Sequence, residues 1–321
     1  MQIESVVSGD RRAPLASRFV ARSVARSVAT FAAAAVIGAA LPASAATLDR
    51  IQETGHIRLG YVADARPFTD RNDAGAAEGY AIDLCQKVVE QVKTRLGRAD
   101  LAVDWVPVKV GSLVAAVQQG DVDLLCTPIV QTLSRREAVA YSVPVFPGGV
   151  RAVLRKDAAA ALRDTLAGTP GGNAVWRGSP AATVLGQKSF AVVAGTTTED
   201  WLAGRLTSFQ IDSKMVPVDD YSSALQALMD RKVDAVFGDR ALVLGAMDSA
   251  MSENLVILPR LLTHEPFAFA LARNDDDFRL LVDSTLSKAY ASDGFAELYT
   301  KWCGDFDDST RAFFQWVTLA D

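Results

Sequence analysis

Histidine is almost missing from this 321-residue chain, with only His56 and His264, and cysteine is scarce, with Cys85, Cys126 and Cys303. Those few groups match no metal-ligand spacing, and no nucleophile–base couple with a pattern behind it is visible, which argues against zinc-type and triad chemistry. Nothing in the sequence asks for a cofactor, so none is expected. A basic surplus is also lacking: 33 Lys and Arg face 38 Asp and Glu, for a net charge of −5. With no basic stripe, a nucleic-acid partner is excluded. Beyond the N-terminal region no apolar run reaches the roughly 20 residues a bilayer demands.

The N-terminus has a character of its own. Arg11, Arg12, Arg18, Arg22 and Arg26 lead into TFAAAAVIGAALPASA, a short apolar run closed by the small residues Ala43 and Ala45. This pattern predicts a secretory signal, residues 1–45, cleaved after Ala45, and hence a periplasmic chain. No cysteine follows the cleavage position, which argues against a lipid anchor. In an oxidising compartment three cysteines allow one internal disulfide and leave one thiol. Cys85 with Cys126 is the expected pair, since one opens a helix and the other ends a strand of the same lobe; three buried thiols are the alternative.

Half the residues are apolar, and the length accommodates two lobes. LDRIQETGHIRLGYV reads as helix then strand, GYAIDLCQKVVEQVKTRLG as an amphipathic helix, LAVDWVPV as a strand, SLVAAVQQ as a short helix and VDLLC as a strand. Such alternation predicts an α/β fold with a helix-flanked, mostly parallel sheet and ligands at the carboxyl ends of its strands. The same grammar recurs from Lys188 to Asp239, which predicts a second lobe. Between them, residues 158–186 are rich in Gly, Pro, Ala and Thr and read as an inserted surface loop.

One stretch carries ligand chemistry. In DVDLLCTPIVQTLSRREAVAYSVP, Asp121 to Pro144, a buried strand empties into a polar turn bearing Arg135. A guanidinium there can grip a carboxylate with its planar fork of donors; a solvated helix start is the bland alternative. GTTTE, Gly195 to Glu199, follows a second buried strand and opens a helix. Its amides and the hydroxyls of Thr196 and Thr197 offer an anion seat, or simply a helix cap.

The order of these features resembles the periplasmic binding proteins of ABC importers for polar amino acids, solute-binding protein family 3, over roughly residues 48–305. The residues that carry the resemblance are GDVD (Gly120 to Asp123), VQTLSR (Val130 to Arg135), YSVPVF (Tyr141 to Phe146), the GTT element, and Lys301, Trp302, Cys303 and Gly304 where the family ends in a K-W-F-G-like motif. The longer KTRLGRADL connection and the DLC and LLC fragments look most like the glutamate/aspartate-binding subgroup. The resemblance implies a type II, two-lobed fold on a two-stranded hinge crossed near Arg151 and Phe267, with 46–151 plus 267–321 as one lobe and 152–266 as the other.

It further implies a small-molecule ligand, an amino acid or related amino-carboxylate. The carboxylate would lie on Arg135 and Thr197, and the ammonium on Asp239 at the mouth of VDAVFG; a surface pair with Arg240 or a helix cap is the alternative for Asp239. A monomer that docks on the permease of an ABC importer is expected. Two positions depart from the family: Val130 replaces its first turn threonine and Ala65 its aromatic before the P-F pair. Asp64 and Arg66 flank Ala65 and could read a polar side chain, while Gln131, Thr132 or backbone amides could substitute in the turn. Competing functions on the same fold are a sensor for a chemoreceptor or kinase, and a dehydratase-like enzyme using Glu199 or Asp64 as a general acid.

Overall fold

The computed structural model describes residues 46–168 and 180–320; the expected signal segment, 1–45, lies outside the described residues. From the N-terminal side come β1 (His56–Tyr61), β2 (Asp64–Ala65), β3 (Thr69–Arg71), β4 (Ala77–Glu78), β5 (Ala102–Pro107), β6 (Leu124–Val130), β7 (Ala140–Tyr141) and β8 (Phe146–Gly148). A second group comprises β9 (Val150–Arg155), β10 (Ser189–Val193), β11 (Lys214–Val218), β12 (Ala235–Asp239) and β13 (Leu255–Ile257); β14 (Glu265–Leu271) then returns to the first.

Two main sheets result. The first runs β5-β1-β6-β14-β7, with β8 also on β14, and the second runs β11-β10-β12-β9-β13. In the first, β1 is parallel to β5 and β6 while β14 is antiparallel; in the second, β10 is parallel to β11 and β12 while β9 is antiparallel. This is the type II binding-protein architecture. β6 is buried along its whole length, LLCTPIV, as expected for a central strand covered on both faces.

Two matching turns, GDVD ending at Asp123 and RKVD ending at Asp234, explain how each parallel pair is set. The Asp123 carboxylate accepts the Arg58 backbone N–H at 2.8 Å and the Arg58 guanidinium at 2.9 Å, fixing β6 beside β1. Asp234 accepts the Ser189 N–H at 2.9 Å and its hydroxyl at 3.0 Å, fixing β12 beside β10. Both carboxylates are structural ties at the end of the sheet remote from the strands' carboxyl ends.

Helix Tyr80–Leu96 begins after Gly79 at φ 133°, where a Cβ would lie 2.3 Å from the Phe68 carbonyl oxygen, and ends at left-handed Gly97. Its buried stripe includes Tyr80, Ile82, Leu84, Cys85, Val88 and Val92, packed with the first sheet. Cys85 is disulfide-bonded to Cys126 of β6, with Cα atoms 6.1 Å apart, and Cys303 is a free, partly buried thiol. The closing motif docks on the same helix: Lys301 Nζ and Trp302 Nε1 both donate to Asp83, at 2.9 and 2.8 Å. The tail helix Asp308–Val317 adds Phe314 against Tyr290, Phe295 and Tyr299.

The chain passes from the first sheet to the second at Gly149, between β8 and β9, and returns to the first with β14 at Glu265. The passages touch, Val150 donating to the Thr263 hydroxyl at 2.9 Å and Leu262 to the Val150 carbonyl at 2.8 Å. One reading of the sequence needs correction. Within 158–186 the described residues are not a loop: helices Ala160–Ala167 and Pro180–Leu185 bury Leu162, Leu166, Ala181 and Leu185. The Gly/Pro-rich residues 169–179 that suggested a loop lie outside the described residues.

Candidate functional site

The carboxyl ends of β6, β10 and β12 open into one cavity of about 280 Å³. Its walls come from both sheets. Val62, Asp64, Ala65, Arg66, Phe68 and the turn through Arg135 face Gly195 to Thr198, Asp220, Tyr221 and Asp239, with Glu265 and Phe267 of β14 between them. Phe68 is fully buried and packs edge-on to Phe146, centroids 4.8 Å apart, and against Phe267 at 5.6 Å, so the apolar wall is rigidly held. Thr127 holds the opening loop: its Oγ1 accepts the Val62 N–H at 2.7 Å and meets Thr69 Oγ1 at 2.8 Å.

Arg135 lies in the first turn after β6. Thr132 caps that turn, its Oγ1 accepting the Arg135 N–H at 3.1 Å, and the guanidinium donates to the Val130 carbonyl at 3.2 Å. Arg135 lines the cavity and, among the described residues, forms no ion pair with any of the carboxylates there. Val130 therefore contributes its backbone oxygen where a side-chain hydroxyl was expected.

Gln131 and Thr132 are not among the residues that line the cavity. Gln131 is held outside it, donating to the Ser142 carbonyl at 3.3 Å and accepting from Arg136 at 2.6 Å, while Thr132 serves as a cap. Arg66 lines the wall, and its guanidinium is ion-paired with Asp70 and, at 3.7 Å, with Glu78. Asp64 is exposed at the cavity rim. Its carboxyl sits above the ordinary range because burial and then the facing Asp220 and Asp70 disfavour the charge, against the pull of Arg66.

On the opposite wall Thr196 caps helix Thr197–Phe209, accepting the Glu199 N–H at 3.4 Å and donating to the Val193 carbonyl at 2.7 Å. Glu199 folds back to accept the N–H of Gly195, the residue before the cap, at 2.7 Å, which ties the turn to its own helix. Glu199 does not line the cavity. Thr197 is committed too, donating to Glu265 at 3.0 Å across the boundary between the sheets.

Asp239 is 6% exposed and takes the cap role. It caps helix Arg240–Ala246 through the Ala241 N–H at 2.8 Å, binds the Gly149 N–H at 2.8 Å, and still lines the cavity. Burial pushes its carboxyl up to about 6; the backbone N–H groups oppose the shift and Glu265 adds to it. The Tyr221 ring lies over Gly238, where a Cβ would meet it at 2.3 Å, and burial followed by Asp239 pushes the phenol up.

Glu265 and Tyr221 were missed in the sequence. Glu265 lies in a run that reads only as the start of a return strand, and Tyr221 in what reads as an ordinary helix start; neither position carried a local signal.

The sheets meet around the site. A Cβ on Gly245 would lie 2.2 Å from the Arg66 carbonyl oxygen, and one on Gly195, at φ 73°, 3.4 Å from the Gly111 Cα. Groups from opposite walls are thus in contact.

Comparison with known proteins follows this geometry. The family model of bacterial extracellular solute-binding proteins, family 3, matches residues 57–305. The glutamate/aspartate import solute-binding protein of Salmonella typhimurium is 25% identical over 262 residues, covering 81% of this chain and 80% of that one. The L-glutamate/L-aspartate-binding protein of Pseudomonas aeruginosa is 28% identical over 258 residues, covering 80% and 79%. Among solved structures, an ancestral amino acid-binding protein described as a precursor of cyclohexadienyl dehydratase superposes with a TM-score of 0.65 at 23% identity, covering 81% of this chain and all of that one.

Proposed function

Because the chain belongs to the bacterial extracellular solute-binding proteins, family 3, we propose that it is a periplasmic receptor that closes on an amino acid and delivers it to an ABC importer. The relatives named for glutamate and aspartate import support the transport role. One observation carries the reading: Arg135 without an ion pair, on the first sheet's side, shares a cavity with the buried carboxylate of Asp239 on the second. Opposite charges on opposing walls fit a zwitterion, its carboxylate on Arg135 and its ammonium on Asp239. Enclosure strengthens both charge-assisted hydrogen bonds, because solvent no longer competes for them.

The ligand acts on the hinge through differential affinity: only the closed arrangement lets both walls reach it. Docking on the permease as a monomer follows from this reading. An acid–base enzyme is left with Asp64 alone of its two expected acids, since Glu199 is bonded to its own turn outside the cavity. The sensor alternative has no separate structural observation in its favour.

A thermal-shift panel of amino acids, amines and dicarboxylates tests the function. A ligand at about 100 times its dissociation constant adds about 2.7 kcal/mol to the folded state. A shift with amino acids, with the ligand recovered unchanged, is the expected result. Turnover of the ligand, or shifts confined to compounds lacking either the amine or the carboxylate, would sink the proposal.

A further inference from the structure

The charges lining the cavity do not balance. Four carboxylates, Asp64, Asp220, Asp239 and Glu265, face two guanidiniums, Arg66 and Arg135. Arg66 is engaged by Asp70 and Glu78, which lie outside the lining, so Arg135 is the one lining cation not paired with a carboxylate among the described residues. The acids form two groups. Buried Asp239 and half-buried Glu265 form one, and Glu265 adds to the rise of the Asp239 carboxyl. Asp64, exposed at the rim, and half-buried Asp220 on the opposite wall form the other, and after burial Asp220 is the main charge raising the Asp64 carboxyl.

A zwitterion accounts for part of this pattern. Its carboxylate uses Arg135 and its ammonium uses Asp239 and Glu265. The rim pair is left over, two like charges brought together as the walls meet, with no lysine or histidine lining the cavity. Asp220 has one oxygen committed, accepting the Ser223 N–H at 2.7 Å as the cap of helix Tyr221–Met229. Its second oxygen and the Asp64 carboxylate are a cation's natural partners. A dicarboxylate would instead bring a second anion into a cavity whose one unpaired guanidinium is already used.

We propose, building on the amino-acid receptor reading, that the solute is a basic amino acid whose side-chain cation is received by Asp64 and Asp220. The rim pair is then a closure sensor: its mutual repulsion opposes closing on a neutral or acidic ligand and is relieved by a cation between the two. This differs from what the names of the glutamate/aspartate relatives suggest. The difference lies in residues that flank the P-F pair and cap a second-lobe helix, not in the zwitterion clamp.

The test is calorimetric titration of the full chain, refolded from denaturant under oxidising conditions, with L-lysine, L-arginine, L-glutamine and L-glutamate. Lysine or arginine should bind at least about tenfold more tightly than glutamine and glutamate. Asp64→Asn and Asp220→Asn, the latter keeping a side-chain cap, should each erase about tenfold of that preference, lysine and arginine binding more weakly and glutamine, relieved of the repulsion, no more weakly than before. Tighter binding of glutamate or glutamine overturns the basic-ligand inference and leaves the receptor standing. Equal losses for every ligand in both variants overturn the rim pair's role. Binding of no amino acid by the unmodified chain overturns the receptor reading itself and this inference with it.

Discussion

Arg135 and Asp239 are the two residues on which recognition turns, yet their structural duties differ. Arg135 gives its fold one hydrogen bond to the Val130 carbonyl. Replacing it by alanine should therefore remove roughly 1.5–3 kcal/mol of binding to any carboxylate ligand, with the unliganded melting temperature nearly unchanged, as calorimetry and thermal melts would check. Asp239 holds two backbone N–H groups. Asp239→Asn should cost about 1–3 kcal/mol of stability as well as amine affinity, because an amide cannot accept both bonds. The pH dependence follows from the same carboxyl. Its folded value of about 6 lies above the ordinary one, so the unliganded fold loses stability as pH rises toward 6. An ammonium ligand needs the ionised form, so affinity should rise through pH 6 and fall about tenfold per unit below it. A flat profile between pH 5 and 7 would remove Asp239 from the ammonium site.

Short helices at the strand mouths convert the sheet into a binding surface. Helix Arg240–Ala246, capped by Asp239, presents Gly245 to the Arg66 carbonyl across the cavity, where no side chain fits. In an isolated helix alanine is favoured over glycine by about 1 kcal/mol. Here the added Cβ would strike the Arg66 backbone, so Gly245→Ala should destabilise the arrangement in which the walls meet and weaken ligand binding. Titration of unliganded and liganded melts separates the effects; unchanged affinity would show that this approach is not needed for closure. The GTTTE turn was legible as a cap and as an anion seat because both use the same N–H groups. The structure decided between them for Gly195, whose amide Glu199 occupies. The sequence could not show that Thr197 would meet Glu265, 68 positions away.

Across the whole molecule one covalent tie joins helix Tyr80–Leu96 to the central strand β6, through Cys85 and Cys126, 41 residues apart. A loop of that length is worth about 2–4 kcal/mol. Reduction should lower the melting temperature while leaving saturating ligand affinity within a few-fold, since neither cysteine lines the cavity. Loss of all binding on reduction while the protein stays folded would place the tie in the closure mechanism instead.

The alternation of apolar runs determined the two sheets, because strands buried on both faces must be continuously apolar and the helices between them must carry a stripe. Local turn chemistry likewise determined the caps at Thr196 and Asp239, since a cap satisfies backbone groups within three or four residues. Tertiary structure alone decided which polar groups remained for a ligand. Arg66, Gln131 and Thr197 each look available in sequence, and each is claimed by a partner brought close in space: Asp70 and Glu78, Arg136, and Glu265. Arg135 keeps its donors because, among the described residues, no carboxylate pairs with them. Charge excess in the cavity was equally invisible, since Asp64, Asp220, Asp239 and Glu265 come from four separate segments and sum only where the two sheets face each other.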